Sequence, residues 1–368
     1  MGRAVNLRIP GPTPCPDDVL EAVGGPMMNH RGPEFADIIK RVTEGLNWVF
    51  GVSTDVLTIT ASGTGGLEAA VVNTLSPGDR VLAVSIGVFG NRLASIAETY
   101  GAEVERYEIE WGAAADPDEV ARRLNADPSI KAVLVTHNET STGITNPLEA
   151  IGAAVRERGQ LLIVDGVSSV SSIPCPAERW GIDVLVSGSQ KGWMVPPGLA
   201  FLWLSERAWE ACETATMPRF YFDLSRARSS LESAQTPWTP ALSIFYGLDK
   251  AFESIRAEGL EGIYSRHHAV AQYTRDRVRA MGLELFAQDE RFASDTVTAV
   301  RWPDDVDGSA IAKRAREEFG VVLGGGQQSL RGKIFRVGHL GYFTQEDIAA
   351  ALDVVERLLA ETPARATV

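Results

Sequence analysis

Cysteine is scarce in this chain: Cys15, Cys175 and Cys212 lie far apart and form no C-x-x-C pair. That excludes a disulfide framework and a cysteine-type zinc site, and it fits a reducing compartment. Histidine is scarce too. Of His30, His137, His267, His268 and His339 only two adjoin. Adjacent positions do not share a helix face, so no protein-bound metal is expected. No apolar run approaches the roughly 18 residues of a spanning helix, and no membrane partner is expected. The opening residues, MGRAVNLRIPGPTP, lack a signal-peptide core, and the closing RATV carries no address signal. A cytoplasmic location is expected. Basic charge is in deficit, with 35 Lys and Arg against 48 Asp and Glu, a net −13. That removes the footprint nucleic acid or an anionic membrane needs, while leaving local pockets for small anions open.

What is present is an ordinary globular composition, 45% hydrophobic and 23% charged over 368 residues. At about 150 residues per domain the length suggests two domains. From residue 56 onward, seven short apolar runs alternate with amphipathic stretches. The runs are VLTITA (56–61), RVLAVS (80–85), AEVERYEI (102–109), KAVLVTH (131–137), LLIVD (161–165), DVLVSG (183–188) and LAFLWL (199–204). Short, β-branched and near-continuous in hydrophobicity, they read as strands buried on both faces. Helical patterns lie between them, as in GLEAAVVNTL (66–75), NRLASIAETY (91–100), PDEVARRLNA (117–126) and LEAIGAAVRERG (148–159). This alternation predicts an α/β fold, a largely parallel sheet covered by helices on both sides. Beyond Pro240 the rhythm changes to a long helical region (241–281), strand-like TVTAVRW (296–302), VVLG (321–324) and IFRVG (334–338), and a last helix with Thr344 as its N-cap. A smaller α+β domain is expected there.

Three features carry chemistry. The first is the turn Ser62-Gly63-Thr64-Gly65-Gly66 between a strand and a helix. Its backbone N–H groups sit at the positive end of a helix dipole and form a phosphate cradle. The spacing is neither G-x-G-x-x-G nor a P-loop, so a dinucleotide or nucleoside triphosphate is disfavoured. The second is Asp165 at the end of LLIVD. The third is Lys191, just after DVLVSG. Alone, the turn could bind nothing, Asp165 reads as a strand-end cap and Lys191 as a solvated lysine. Together they deliver a carboxylate and an amine to the carboxyl ends of neighbouring strands, where such sheets bind ligands. A lysine there can form a Schiff base, and the aspartate can partner a protonated pyridine nitrogen. With the cradle, this describes a site for pyridoxal phosphate.

The stretches PGPTP (10–14), NHRGPEF (29–35), SGTGGLEAA (62–70), HNETSTG (137–143), VDGVSSV (164–170), WGIDVLVSGSQKG (180–192), TPWTP (236–240), SDTVTAV (294–300) and FRVGHLG (335–341) carry a resemblance. Through them nearly the whole chain resembles the class V, fold-type I pyridoxal-phosphate aminotransferases, in particular the serine/alanine–glyoxylate group. The resemblance implies a mainly parallel seven-stranded sheet between helices and a smaller C-terminal α+β domain. It implies an N-terminal segment over 1–20, a large cofactor domain over 21–255 and a small domain over 256–368. It implies a homodimer with interface active sites. Lys191 would carry the Schiff base and Asp165 the pyridinium partner. Gly63, Thr64 and Gln190 would contact the phosphate, Thr140 the ring hydroxyl edge, Val167 one ring face and Phe89 the stack on the ring. Arg336 would fork onto the substrate carboxylate, with His339 supporting it, and His137 would be a strand-end hydrogen bonder. His30 and Arg31 would reach the neighbouring subunit's site, and Thr239 would donate to the phosphate across the dimer, beside a Trp238 packed in the interface.

The implied reaction is transfer of an amino group from serine or alanine to glyoxylate, giving glycine and a 2-oxo acid. Aspartate or ureidoglycine as donor remains open. A cysteine desulfurase is disfavoured, because Gln190 precedes the lysine and GGGQQSLRGK (324–333) holds no cysteine. A non-catalytic assembly subunit is disfavoured by the intact lysine, aspartate and turn.

Overall fold

Residue parity organises the molecule. The computed structural model describes residues 5–361. Along Arg80–Ser85, Ile130–Thr136 and Leu161–Asp165, successive side chains enter opposite cores, as a period of two requires. Leu82, Val84, Val133, Val135, Leu162 and Val164 face one core. Val81, Ala83, Ala132, Leu134, Leu161 and Ile163 face the other. Both faces of these strands are therefore apolar, and that is why their sequence shows no alternation.

The seven expected strands form one sheet. In spatial order they are Leu57–Ala61, Gly198–Leu204, Val184–Gly188, Leu161–Asp165, Ile130–Thr136, Arg80–Ser85 and Glu103–Glu108. Gly198–Leu204 runs antiparallel to both neighbours. The other pairs are parallel. The edge strand Glu103–Glu108 is half-exposed and rich in charge, which blunts an open edge. The helix Gly63–Thr74 starts three residues earlier than the pattern suggests, and so does Val88–Thr99. In Gly63–Thr74 the apolar periodicity begins only after Gly63, Thr64 and Gly65, the small or polar residues of the first turn.

A second sheet is built from Asn6–Arg8, Val321–Gly325, Ile334–Gly338 and Val297–Arg301 in that order. Asn6–Arg8 pairs in parallel with Val321–Leu323, and the other two pairs are antiparallel. Gly308–Phe319 and Gln345–Glu361 close its core, with Ile311, Val337, Ile348 and Leu352 buried. The last helix opens on a reciprocal cap: Asp347 N–H donates to Thr344 Oγ1, and Thr344 N–H donates to Asp347 Oδ2. The long helical region is two helices, Leu242–Glu258 and Leu260–Ala280, broken at Gly259 with φ 73°. The second helix spans both cores, with Ile263 in the larger and Val270 and Val278 in the smaller. Among the described residues no helix is long and apolar enough to cross a membrane.

Candidate active site

Strand direction gathers the site. Five parallel strands and Leu57–Ala61 all end at the same edge of the sheet, and the segments after four of them and after Leu57–Ala61 border a cavity of about 280 Å³. Gly63 and Thr64 border it from the first turn of their helix, Phe89 from the turn after Arg80–Ser85, and Thr140 from the turn after Ile130–Thr136. Asp165, Val167, Gln190 and Lys191 line it as well. The structure therefore brings eight of the expected site residues together.

The turn has the form of an anion cradle. The first N–H groups of Gly63–Thr74 have no partner within the helix, and Ser62 supplies none from its side chain. Close packing sets the glycine. A Cβ on Gly63 would lie 2.6 Å from Val167 Cγ2, on the cavity wall.

The two reactive groups are shifted towards each other. Asp165 is 5% exposed, and its Oδ1 accepts from Val167 N–H at 3.0 Å. Burial pushes its carboxyl up to about 6, against the Val167 hydrogen bond, and the neighbouring Glu139 charge adds to the rise. Lys191 Nζ donates to the Pro10 carbonyl at 2.6 Å. Burial brings its ammonium down to about 8; Asp165 opposes that shift and Arg336 adds to it. An amine with that value is partly neutral near pH 8, as a nucleophile or proton carrier needs.

Arg336 lies on the smaller sheet, opposite Ala299. It is 6% exposed. Its Nε and Nη2 donate to Gly325 O at 3.1 and 2.7 Å, and Nη1 donates to Thr140 O at 2.8 Å. Burial lowers its value to about 10, partly offset by Glu139, so it stays charged at pH 7. Of its five N–H groups, two remain for another acceptor. Through Thr140 the guanidinium is tied to the cavity wall.

Other expected residues stand elsewhere. His339 does not support Arg336: its Nε2 pairs with Thr298 Oγ1 and its Nδ1 with Asp295 O. His339 lies just beyond the strand that carries Arg336, so strand alternation does not bring the two side chains together. His137 is not a side-chain hydrogen bonder at Nδ1, which is buried without a partner, and its ring packs edge-on to Trp180. His30, Arg31, Thr239 and Arg336 do not line the cavity; Arg336 reaches its wall only through Thr140 O. Arg31 donates to Thr236 O and Gln235 Oε1. Trp238 donates to Tyr221 O, and its ring stacks on Phe220.

Some cavity residues were not expected. Arg92 borders it, donates to Thr64 Oγ1 at 3.3 Å and lies 4.7 Å over the Phe89 ring. Its position one helical turn after Phe89 was the available signal. Asn138 also lines it and is fully committed: it donates to Ser168 Oγ and Thr296 Oγ1 and accepts from Thr145 and Ser294. That network joins the segment entering the smaller sheet to the cavity wall.

These residues fit pyridoxal phosphate. The helix N-terminus offers unpaired donors to a phosphate, Asp165 a buried acceptor to a protonated ring nitrogen, and Lys191 an amine. Gln190 lines the same cavity; its Oε1 is buried without a partner and awaits a donor, while its NH2 is the group able to donate to a phosphate. The fold and site define a pyridoxal-phosphate-dependent enzyme.

The aminotransferase class-V family model matches residues 9–350. The chain belongs to this family and is a pyridoxal-phosphate-dependent aminotransferase. It is 45% identical to the soluble hydrogenase small subunit of Synechococcus sp., over 96% of this chain and 93% of that one. It is 38% identical to the L-aspartate–glyoxylate aminotransferase of Paracoccus denitrificans, covering 96% of this chain and 90% of that one. The serine–glyoxylate aminotransferase of Methylorubrum extorquens is also 38% identical, with 98% and 92% covered. The solved alanine–glyoxylate aminotransferase of Nostoc sp. superposes with a TM-score of 0.93 at 31% identity, covering 98% of this chain and 96% of that one.

Proposed function

We propose that this aminotransferase moves the amino group of a small amino acid, serine or alanine, to glyoxylate. One observation carries the reading: Asp165, Lys191 and the unpaired helix N-terminus at Gly63 face a single cavity of about 280 Å³. Pyridoxal phosphate, when bound, supplies an aldehyde that takes up the amino group and a ring that draws electrons from the substrate carbon.

Gly63, Thr64 and Gln190 hold the phosphate. Asp165 keeps a proton on the ring nitrogen. Val167 and Phe89 pack on the ring faces, and Thr140 meets the ring hydroxyl. Lys191 would tether the cofactor and would be the group that carries the proton at the substrate α-carbon. Arg336 grips the substrate carboxylate with its free N–H groups, as a planar fork does well. We place His30, Arg31 and Thr239 at the site of a second subunit in a homodimer, and the enzyme in the cytoplasm. Glyoxylate as acceptor is supported by relatives that name different donors and share that acceptor.

Aspartate is the second reading, favoured by Arg92. That cation on the cavity wall is available to a second carboxylate. The hydrogenase-subunit name of the Synechococcus relative is the support for a non-catalytic assembly role. Against it stand the lysine, aspartate and turn, all in place around one cavity. Single-turnover spectra with serine, alanine and aspartate decide among these. Rapid bleaching of the cofactor band by serine or alanine, with regeneration by glyoxylate, supports the proposal. Bleaching by aspartate alone replaces the donor, and no bleaching by any amino acid favours assembly.

A further inference from the structure

Glu139 is a carboxyl group that the transfer chemistry leaves unused, yet it is 0% exposed, next in sequence to the cavity-lining Thr140. A buried carboxyl is costly unless strongly hydrogen-bonded. Here Oε2 accepts from Phe89 N–H at 2.9 Å and from Gly90 N–H at 3.0 Å. Oε1 accepts from Ser141 N–H and Oγ. Ser141 Oγ in turn accepts from Val88 N–H at 3.0 Å.

Val88, Phe89 and Gly90 open the helix Val88–Thr99. Its own N-cap, Gly87, has no side chain to offer. A Cβ at Gly87 would lie 2.5 Å from both Glu139 Cγ and Ser141 Oγ. The helix has given up its local cap so that a distant turn can supply one. That turn is the cavity's own: Thr140, between Glu139 and Ser141, lines the cavity, and its carbonyl holds Arg336.

We propose that Glu139 is a positioning residue that caps the Phe89 helix from across the site, fixing the Phe89 ring against the cofactor and locking it in register with Thr140. The proposal rests on the reading of Phe89 as the ring-stacking residue. One motif, Glu139-Thr140-Ser141, then sets the aromatic face, the ring edge and the carboxylate fork together.

The test is a double-mutant cycle on the affinity of apoprotein for pyridoxal phosphate, measured by equilibrium dialysis with folding checked by circular dichroism. Glu139→Gln keeps one acceptor but turns an amide donor towards N–H groups. Glu139→Gln and Phe89→Leu are each expected to raise Kd by about 5- to 10-fold. The double variant is expected to exceed Phe89→Leu by clearly less than the Glu139→Gln factor, because the part of the effect that runs through the ring is already lost. Restoration of affinity by Glu139→Asp, at least in part, is the expected rescue. An unchanged Kd in Glu139→Gln, or a double variant showing the product of the single effects, overturns the proposal. An unchanged Kd in Phe89→Leu removes the stacking reading instead, and with it the route through Phe89. If Glu139→Gln does not fold, Ser141→Ala takes its place in the same cycle. It removes one of the three capped N–H contacts, with a smaller rise in Kd expected and the same non-additivity.

Discussion

Asp165 and Lys191 stand at the ends of adjacent parallel strands, with Asp165 in register with Val186, five residues before the lysine. Burial moves the acid up to about 6 and the amine down to about 8. Desolvation penalises both charges, and so narrows the gap between the two groups' values.

The first consequence concerns stability. The Asp165 carboxyl rises from 3.8 to about 6 on folding, so the folded apoprotein holds its proton more tightly than the unfolded chain. This group costs nothing below about pH 4 and its full penalty above about pH 6. Asp165→Asn keeps an oxygen for Val167 N–H and removes that penalty. The apo variant is expected to be more stable than the wild type at pH 7.5, by on the order of 2 kcal/mol. The gain should fade as pH falls through 6 to 4, measured by urea unfolding across that range. A constant difference at every pH would contradict the burial argument.

The same substitution removes the proposed partner of the ring nitrogen. Transamination by Asp165→Asn is expected to fall about 100-fold or more while the variant remains folded. A variant both stabilised and inactive identifies Asp165 as a group held in place for function at a cost in stability. Full steady-state activity in Asp165→Asn would remove its role.

Attachment of the cofactor needs Lys191 neutral. The rate of reconstitution of apoprotein should rise with pH and level off above an inflection near 8. Stopped-flow absorbance follows it directly. An inflection near the ordinary lysine value of 10.5 would mean that burial does not act on this amine.

Arg336 is expected to bind the carboxylate of both amino and keto acids. Arg336→Ala should lower kcat/KM for both substrates, mainly through KM, by about 30-fold or more, the lower end for losing one charged contact. Arg336→Lys should rescue little. A single ammonium cannot hold Gly325 O and Thr140 O and still present a fork. An unchanged KM for both substrates would assign Arg336 to domain packing alone.

The larger sheet was legible because its strands are buried on both faces and separated by helices of ordinary length. Asn6–Arg8 was not, since three residues set no period and their partner lies at Val321–Leu323. Arg92 resembled any exposed helix arginine until the fold turned it onto the cavity. Glu139 sat in a polar turn whose burial no local pattern reveals. His339, expected from the resemblance to support Arg336, instead pairs with Thr298 and Asp295, partners that no local pattern announces.

The central claim is that Lys191 holds the cofactor. Holoprotein reduced with borohydride and digested should carry a pyridoxyl mass on the peptide containing Lys191, and Lys191→Ala should carry none. A label on another lysine, or none on the wild type, would contradict the account.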